Sequence, residues 1–570
     1  MELTDNARTI LSKRYLLKDD AGNVRETPEG LFRRVATYVA ASEKAYGGDT
    51  AAWEEKFYDL MEGLKFLPNS PALMNAGKSI GQLAACFVLP IEDSMDAIFS
   101  SLKNAALILQ SGGGTGFSFS RLRPRSDIVL STGGAASGPV SFMKVFNTAT
   151  EVIKQGGARR GANMGILRVD HPDIIDFIRV KKDIRALANF NISVAITDDF
   201  MKALYHGDEY DLINPRNGKC IRRLHAAIVF DEMTESAWET GDPGVIFIDV
   251  INRSNPTPHL GSFESTNPCG EQPLLPYESC VLGSIDVAKY LMLQGGKTEI
   301  DYQRLAGDIR TAVRFLDDAI DASKYPLHDI ELMHKGNRKI GLGIMGWADL
   351  LIRLDIPYNS RNAFILADRF MNFFRGTARS CSVDLAREKG VFPNFAGSIY
   401  DAPGMPKVRN ATTTTIAPTG TLSIIAGCSS GIEPLFSLAH KRLVMDTEFI
   451  ETSARFFETA KNKGFYSKAL QKEVEKRGTV RGLKQVPPAV RRLYKTALDI
   501  PYRDHIEMQA MFQRHTDNAV SKTINMPHSA TKKDVGEAYK LAYEKGCKGV
   551  TVFRYGSRKK GTLVRFPDAD

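Results

Sequence analysis

Apolar and polar positions change rhythm once along the chain, near residue 65. Residues 1–65 read as helices with polar connections. "TPEGLFRRVATYVAASEKAYG" is one of them, with Thr27 as N-cap, Pro28 in the first turn and Gly47 near its end. From about 66 onward, short apolar strands, Gly-rich turns and helices alternate. "NFNISVAITDDFMKALYHG" alternates Ile192, Val194 and Ile196 and then passes through Thr197 and Asp198 into a helix. Near the C-terminus, "NAVSKTINMP" predicts a strand. "TKKDVGEAYKLAYEKG" predicts a helix, with Val535, Ala538, Tyr539, Ala542 and Tyr543 on one stripe, Thr531 as cap and Gly546 as stop. "KGVTVFRYG" predicts a second strand, completing a βαβ unit, and several such units imply parallel strands covered by helices. Residues 440–510 read as helical and more basic, an insertion or outer layer.

The length, 570 residues, calls for several units or one large α/β barrel with attachments. With 43% hydrophobic and 25% charged residues and no low-complexity tract, the composition is that of a folded soluble protein. The first residues lack the pattern of a targeting peptide, and no apolar run approaches the ~18 residues of a membrane span, so no membrane association and a cytoplasmic location are expected. The net charge of +9 is spread without a Lys/Arg block, which suits phosphorylated small molecules better than nucleic acid. The seven cysteines, Cys86, Cys220, Cys269, Cys280, Cys381, Cys428 and Cys547, form no C-x-x-C, so neither a disulfide scaffold nor a metal site is expected.

Several motifs invite readings that their surroundings weaken. "GLGIMG" (341–346) has dinucleotide-type spacing, yet "MHKGNRKI" before it is too charged for a buried first strand. "SGGGTGF" (111–117) lacks the Lys-Ser/Thr ending of a P-loop. His328, Glu331 and His334 lie at helical spacing without H-E-x-x-H order and read as a solvated face. "TTTTIAPTGTLSIIAG" (412–427) runs a Thr-rich strand into a helix start whose free N–H groups and hydroxyls suit a phosphate, or simply form a capped turn. "KQGGARRGANMG" (154–165) is a Gly-rich cationic loop that suits a nucleotide or plain surface.

"ESTNPCGEQPLLPYESC" (264–280) is the most distinctive stretch. Prolines follow Asn267, Gln272 and Leu275, so neither a helix nor a central strand runs through it. Cys269 sits there between an amide, Asn267, and a carboxylate, Glu271. A carboxylate beside a thiol disfavours the thiolate, which argues against chemistry of the cysteine-protease kind. A neutral thiol beside a carboxylate suits one-electron chemistry, in which S–H gives a thiyl radical and the carboxylate takes a substrate proton.

Together with "FLPNSPALMNAG", "QLAACFVLPIEDSMDAI", "GGTGFSFSRLRP", "TGGAASGPVSFM", "GGARRGANMG", "NRKIGLGIMGWADLL", "APTGTLSIIAGCSSGIEPLF", "HTDNAVSKTINMP" and "GCKGVTVFRYGSR", in that order along the chain, this loop resembles the ribonucleotide reductases, specifically the adenosylcobalamin-dependent class II enzymes. The resemblance implies a ten-stranded α/β barrel of two five-stranded halves around a finger loop, spanning 66–570 after an N-terminal helical region at 1–65. It implies that Cys269 carries the thiyl radical, that Glu271 is the base on the 3′-hydroxyl, and that Asn267 holds the sugar hydroxyls. It also implies that Cys86 and Cys280 reduce the 2′ carbon and close to a disulfide. Ser70 with Pro418, Thr419, Gly420, Thr421, Leu422 and Ser423 would cradle the substrate phosphates. Asp93, Ser94 and Arg123, with Lys154, Gln155, Arg159, Arg160 and Asn163 of a second loop, would read a deoxynucleotide or ATP effector. Cys220, Cys381, Cys428 and Cys547 match no redox role and read as structural.

Adenosylcobalamin is the cofactor that the resemblance alone implies; "GVTVFRYG" lacks the Tyr-Tyr pair of class I, no glycyl-radical segment of class III is evident, and no D-x-H-x-x-G cobalamin signature is present. A class I-like large subunit fed by a radical-donating partner, and an idle nucleotide-binding regulator, are the alternatives. No cysteine follows Cys547, so re-reduction falls to an outside thiol, thioredoxin-like or smaller, or to a tail absent from this sequence. Residues before 27 leave no room for an ATP-binding cone, and without an insertion that mimics a dimer interface a homodimer is expected.

Overall fold

The computed structural model describes residues 1–129, 133–153, 161–183, 185–444, 447–557 and 563–564, with the backbone alone at 442–444, 447–451 and 563–564. Ten strands form its principal sheet. In chain order these are β1 (Phe66–Pro68), β2 (Cys86–Leu89), β3 (Gly114–Ser118), β4 (Asn163–Arg168), β5 (Phe190–Ile196), β6 (Gly244–Phe247), β7 (Ser279–Asp286), β8 (Ile340–Met345), β9 (Thr523–Met526) and β10 (Gly549–Arg554). Strands β2 to β6 lie side by side and parallel, and form one half-barrel. In the other half, β7 pairs with β8 and β9 with β10, again parallel. The Thr-rich segment 412–416 fills the gap between these pairs, bridging Leu342 through Thr414 and Val520 through Ile416, both in parallel sense.

The two halves meet at antiparallel seams. One joins β6 to β10 (Val245 opposite Val550) and the other joins β2 to β7 (Cys86 opposite Cys280). β1 continues along the same edge of β7, with Pro68 opposite Gly283. The strands are apolar on both faces, β7 and β8 being buried throughout, because helices cover the outside and a loop fills the inside. "GLGIMG" is therefore a barrel strand and its last glycine, preceded by the helix His328–Asn337.

The N-terminal helices Pro28–Ala40 and Thr50–Glu62 begin at the side-chain caps Thr27 and Asp49. Their apolar faces join the barrel's own core: Phe57 lies edge-on to Phe315 at 5.1 Å, and Phe315 meets Phe66 at 5.3 Å. A buried charge network reinforces the junction. Glu43, fully buried, accepts from Arg314 (2.7 Å) and Lys389 (2.7 Å), whose Nζ also pairs with Asp318.

Two expectations need correction. The stretch 440–510 opens with a β-hairpin, Ala439–Val444 against Thr447–Thr452. Its helices Ala454–Asn462, Lys468–Arg477 and Pro488–Leu493 then gather around a satellite core of Leu438, Phe456, Val474 and Tyr494. The last helix of the stretch, Tyr502–Gln513, packs into the main core through Ile506, Met508 and Phe512, because it must cover β9 and β10. The other correction concerns His334, which is buried rather than solvated. Its Nδ1 lies 3.0 Å from the Tyr325 hydroxyl and its Nε2 3.2 Å from the Lys339 carbonyl, and burial pushes its pKa down to about 3. The βαβ unit near the C-terminus forms as the pattern predicts, with Thr531 and Asp534 completing a capping box. No helix among the described residues is long and apolar enough to cross a membrane.

Candidate active site

The barrel interior is occupied by a short hairpin. Ser265–Thr266 pairs antiparallel with Pro273–Leu274, and residues 267–272 form its tip. Two glycines of one strand, β3, admit it. A β-carbon at Gly116 of β3 would collide with the Thr266 carbonyl, and one at Gly114 would press on the Pro268 ring. Gly270, at φ +82°, turns the tip.

Asn267 organises this tip. Its backbone N–H donates to the Gln272 carbonyl (3.1 Å) and its side-chain Oδ1 accepts from the Gln272 N–H (3.0 Å). With Oδ1 committed, Nδ2 is aimed across the barrel and donates to Cys86 Sγ at 3.1 Å. The tip is fastened to both half-barrels. The Pro268 carbonyl accepts from Asn191 Nδ2 of β5 (2.7 Å), while the Glu271 carbonyl accepts from the Ala519 N–H (2.9 Å) and Thr415 Oγ1 (3.0 Å). Glu271 is buried and Cys269 is exposed, so one loop holds a carboxylate inside and leaves a thiol accessible.

Cys86 and Cys280 are directly opposed across the β2–β7 seam. Opposed residues of an antiparallel pair share a face, with Cα atoms about 4.5–5.5 Å apart, which lies within the roughly 4.4–6.8 Å a disulfide spans. Both are buried free thiols among Val88, Leu274, Leu282 and Ala417. Burial pushes the Cys86 thiol well up, and Glu271, Cys280 and Cys269 nearby add to the rise. Burial likewise raises Cys280, against a counter-pull from Lys339. Both are therefore protonated thiols at neutral pH.

The phosphate-type segment follows the Thr-rich segment 412–416 directly. Thr419 adopts φ +49°, its Oγ1 accepts from the Gly431 N–H (2.8 Å), and its carbonyl accepts from the Ser423 N–H (2.8 Å). Ser423 Oγ lies 2.9 Å from Ser430 Oγ, and the short helix Leu422–Ala426 follows. Gly420 is exposed at the crest between half-buried Pro418 and Thr421. Ser70 opens the helix Ser70–Asn75, and its Oγ lies 2.8 Å from the Tyr15 hydroxyl.

Of the expected effector residues, Asp93 and Arg123 form a half-buried ion pair at 2.7 Å, and Ser94 caps the helix Met95–Gln110. Asn163 does not face outward with them. It is 1% exposed, accepts from Thr115 Oγ1 (2.6 Å) and donates to Thr150 Oγ1 (2.8 Å), because it begins β4 inside the sheet. Lys154, Gln155, Arg159 and Arg160 lie outside the described residues. Cys220 is exposed on the hairpin Glu209–Ile213/Cys220–His225, whereas Cys381 and Cys547 are buried and Cys428 is half-buried.

Sequence reading missed two supports. Asn191 carries no motif of its own. The Glu278–Lys339 pair, both 1% exposed and 2.6 Å apart, was signalled by a glutamate two residues before Cys280 in "YESC".

Residues 84–553 match the family described as ribonucleotide reductase, barrel domain, and residues 1–81 match its all-alpha domain. The chain is 47% identical to a protein of Thermoplasma acidophilum named vitamin B12-dependent ribonucleoside-diphosphate reductase, over 99% of this chain and 80% of that protein. A Mycobacterium tuberculosis protein of the same name is also 47% identical, over 99% of this chain and 81% of its own length. The fold is similar to that of a solved structure, the class Id ribonucleotide reductase alpha subunit of Actinobacillus ureae, with a TM-score of 0.81 over 97% of each chain at 22% identity. With its barrel, its N-terminal helices and its long relatives all in agreement, the chain belongs to the ribonucleotide reductase family.

Proposed function

We propose that this chain is an adenosylcobalamin-dependent ribonucleotide reductase that converts ribonucleoside diphosphates to 2′-deoxyribonucleotides by thiyl-radical chemistry at Cys269. The observation that carries the reading is the arrangement around Asn267: an exposed thiol and a buried carboxylate on one hairpin, and a bond from the same hairpin to one of two opposed thiols. The diphosphate substrate and the cofactor follow the names of the two relatives at 47% identity.

The exposure of Cys269 fits an external radical source, since the thiol is open while Cys86 and Cys280 are sealed. Cys269 would face the adenosylcobalamin, which when bound would supply an organic radical able to take the S–H hydrogen atom. The thiyl at Cys269 then removes the hydrogen from C3′, and Glu271 accepts the 3′-hydroxyl proton. The 2′-hydroxyl leaves as water, protonated by a thiol of the Cys86–Cys280 pair, which their raised pKa values keep in the proton-bearing form. The pair delivers two electrons and closes to a disulfide, and Cys269 returns its hydrogen to C3′. Ribonucleotide and dithiol thus become deoxyribonucleotide, disulfide and water. A thiol reductant, small or thioredoxin-like, reopens the disulfide.

Ser70 and Pro418–Ser423 take the substrate phosphates in this reading, and Asp93, Ser94 and Arg123 take a nucleotide effector. The helices beside the effector pair carry exposed apolar side chains, Met95 and Phe99 on Met95–Gln110 and Val145 and Val152 on Pro139–Val152, which supports pairing with a second copy of the chain.

The test is anaerobic deoxycytidine diphosphate formation from the ribonucleotide with a small dithiol, with and without adenosylcobalamin. Product is expected only with the cofactor, and none from Cys269→Ala, which should still bind effector. Product from Cys269→Ala would remove the radical assignment. Product from the wild type without the cofactor would point to a radical-donating partner or another source.

A further inference from the structure

The candidate phosphate cradle is built entirely of uncharged residues. Ser70, Pro418, Thr419, Gly420, Thr421, Leu422 and Ser423 offer hydroxyls and N–H groups but no cation, whereas a nucleoside diphosphate brings several negative charges. The N-terminal region supplies what they lack. The helix Asp5–Ile10 packs on the short helix Leu422–Ala426 and passes into a π-helical turn, Leu11–Tyr15, a widened form frequent at functional sites. Leu11 and Tyr15 are buried under this turn, and Arg14 between them is half-buried. Its consecutive residues Arg14 and Tyr15 reach the two separate parts of the cradle. Arg14 Nη1 donates to Thr421 Oγ1 at 3.3 Å, and the Tyr15 hydroxyl lies 2.8 Å from Ser70 Oγ. The Arg14 guanidinium also stands 5.4 Å from the centroid of the Tyr15 ring, which helps fix its direction.

We propose that Arg14 is a substrate-binding residue: its guanidinium pairs with the terminal phosphate of the ribonucleotide, making the N-terminal helical region part of the active site. The proposal rests on the placement of the substrate phosphates at Ser70 and Pro418–Ser423. A guanidinium suits this task because it is always charged and can donate two parallel hydrogen bonds to a phosphate. Tyr15 is the positioning residue that holds Ser70 and the Arg14 turn in one frame.

The test compares cytidine diphosphate, cytidine monophosphate and cytidine as ligands for the full chain, by equilibrium dialysis at a fixed effector concentration. With Arg14→Met, diphosphate binding should weaken roughly 10- to 100-fold, the range of a lost charge-assisted bond. Monophosphate binding should weaken less and cytidine binding not at all, and Arg14→Lys should restore part of the diphosphate affinity. Unchanged diphosphate binding by a folded Arg14→Met chain would overturn the proposal. So would an equal loss for all three ligands, which marks a structural role. Should Arg14→Met fail to fold, Arg14→Lys decides alone: an unchanged ratio of diphosphate to cytidine affinity overturns the proposal. A wild-type chain that binds cytidine as tightly as its diphosphate would instead overturn the cradle itself, and with it the underlying reading.

Discussion

Replacing Lys339 with Met strikes a buried ion pair close to the thiol seam. Lys339 Nζ lies 2.6 Å from Glu278 Oε2, and neither side chain is more than 1% exposed. Glu278 also accepts from the Leu275 N–H (2.6 Å) and from Asn337 Nδ2, so it ties the end of the finger hairpin and the helix before β8 to the start of β7. Removing one partner of a buried pair costs about 3–5 kcal/mol, because the other charge stays behind without its counter-ion. Two amide donors remain on Glu278, so the cost falls at the lower end, about 3 kcal/mol. For 570 residues the unfolding entropy is about 1.2 kcal/mol per degree, so the melting temperature should fall by about 2.5 °C. Combining Lys339→Met with Glu278→Gln removes the stranded charge and should recover all but about 1 kcal/mol.

Thermal unfolding of the wild type, both single variants and the double variant gives the coupling directly. The same four proteins should be tested for one round of dithiol-driven reduction. Cys280 lies two residues beyond Glu278, so Lys339→Met should lose product yield while effector binding stays intact. If Lys339→Met melts within about half a degree of the wild type and the double variant melts lower than either single, the pair holds nothing together and the argument from burial fails.

Burial, with Asp349 nearby, pushes Asp286 up to about 7 from 3.8. The folded chain thus keeps a proton that the unfolded chain releases, so this stabilisation is full below about pH 4 and is lost as pH rises through 7, with a ceiling of about 4 kcal/mol. Asp286→Asn should flatten that decline in a pH series of unfolding midpoints and leave the variant more stable than wild type at pH 8. Gly116→Val should abolish reduction and lower stability by at least about 2 kcal/mol, because its side chain meets the Thr266 carbonyl; unfolding and product assays check both. Phe99→Asp, at a side chain 46% exposed, should leave the monomer's melting curve nearly unchanged and halve the mass seen by light scattering if that face joins two copies.

The parts of the fold legible from sequence are those with local causes. Thr27 and Thr531 cap helices where the pattern places them, and the strand–helix–strand unit near the C-terminus rests on periodicities of 2 and 3.6. The loop around Cys269 was legible because three prolines and an acid beside a thiol have few bland explanations. What was illegible depends on distant partners. The glycines of "GLGIMG" match a nucleotide motif letter by letter, yet Gly341 and Gly343 lie in a strand, where Thr415 passes too close to Gly343 for any side chain. Asn163 belongs to a Gly-rich, cationic stretch, but its place is fixed by Thr115 of the neighbouring strand, 48 residues away. His334 looks solvated beside Lys335 and Glu331 until Tyr325 is known to cover it. The hairpin at 439–452 hid inside a stretch whose helices dominate its composition.

The placement of the thiol pair follows from the topology of the ring. Within either half-barrel, neighbouring strands are parallel and need long crossovers, so cysteines there would be opposed in slanted register. In the principal sheet the described strands run antiparallel along the edges where the halves meet, and Cys86 and Cys280, 194 residues apart, are opposed at one of those seams. Two opposed side chains on one face can close to a disulfide with little backbone movement, so in the proposed mechanism the pair delivers its electrons without reshaping the barrel. In the proposed mechanism Cys269 has the opposite need, since a thiyl that met either member of the pair would be quenched. Cys269 sits eleven residues before Cys280, yet the hairpin raises it to an exposed tip while the pair stays buried. Asn267 spans the division: its Oδ1 shapes the tip and its Nδ2 binds Cys86, so one amide fixes how far the hairpin tip that carries Cys269 stands from Cys86. Asn267→Leu, of the same branched shape but without hydrogen bonds, should therefore keep the barrel folded and lose product. If it kept wild-type yield, the separation of the thiols would have to rest on the Pro268 and Glu271 carbonyl anchors alone.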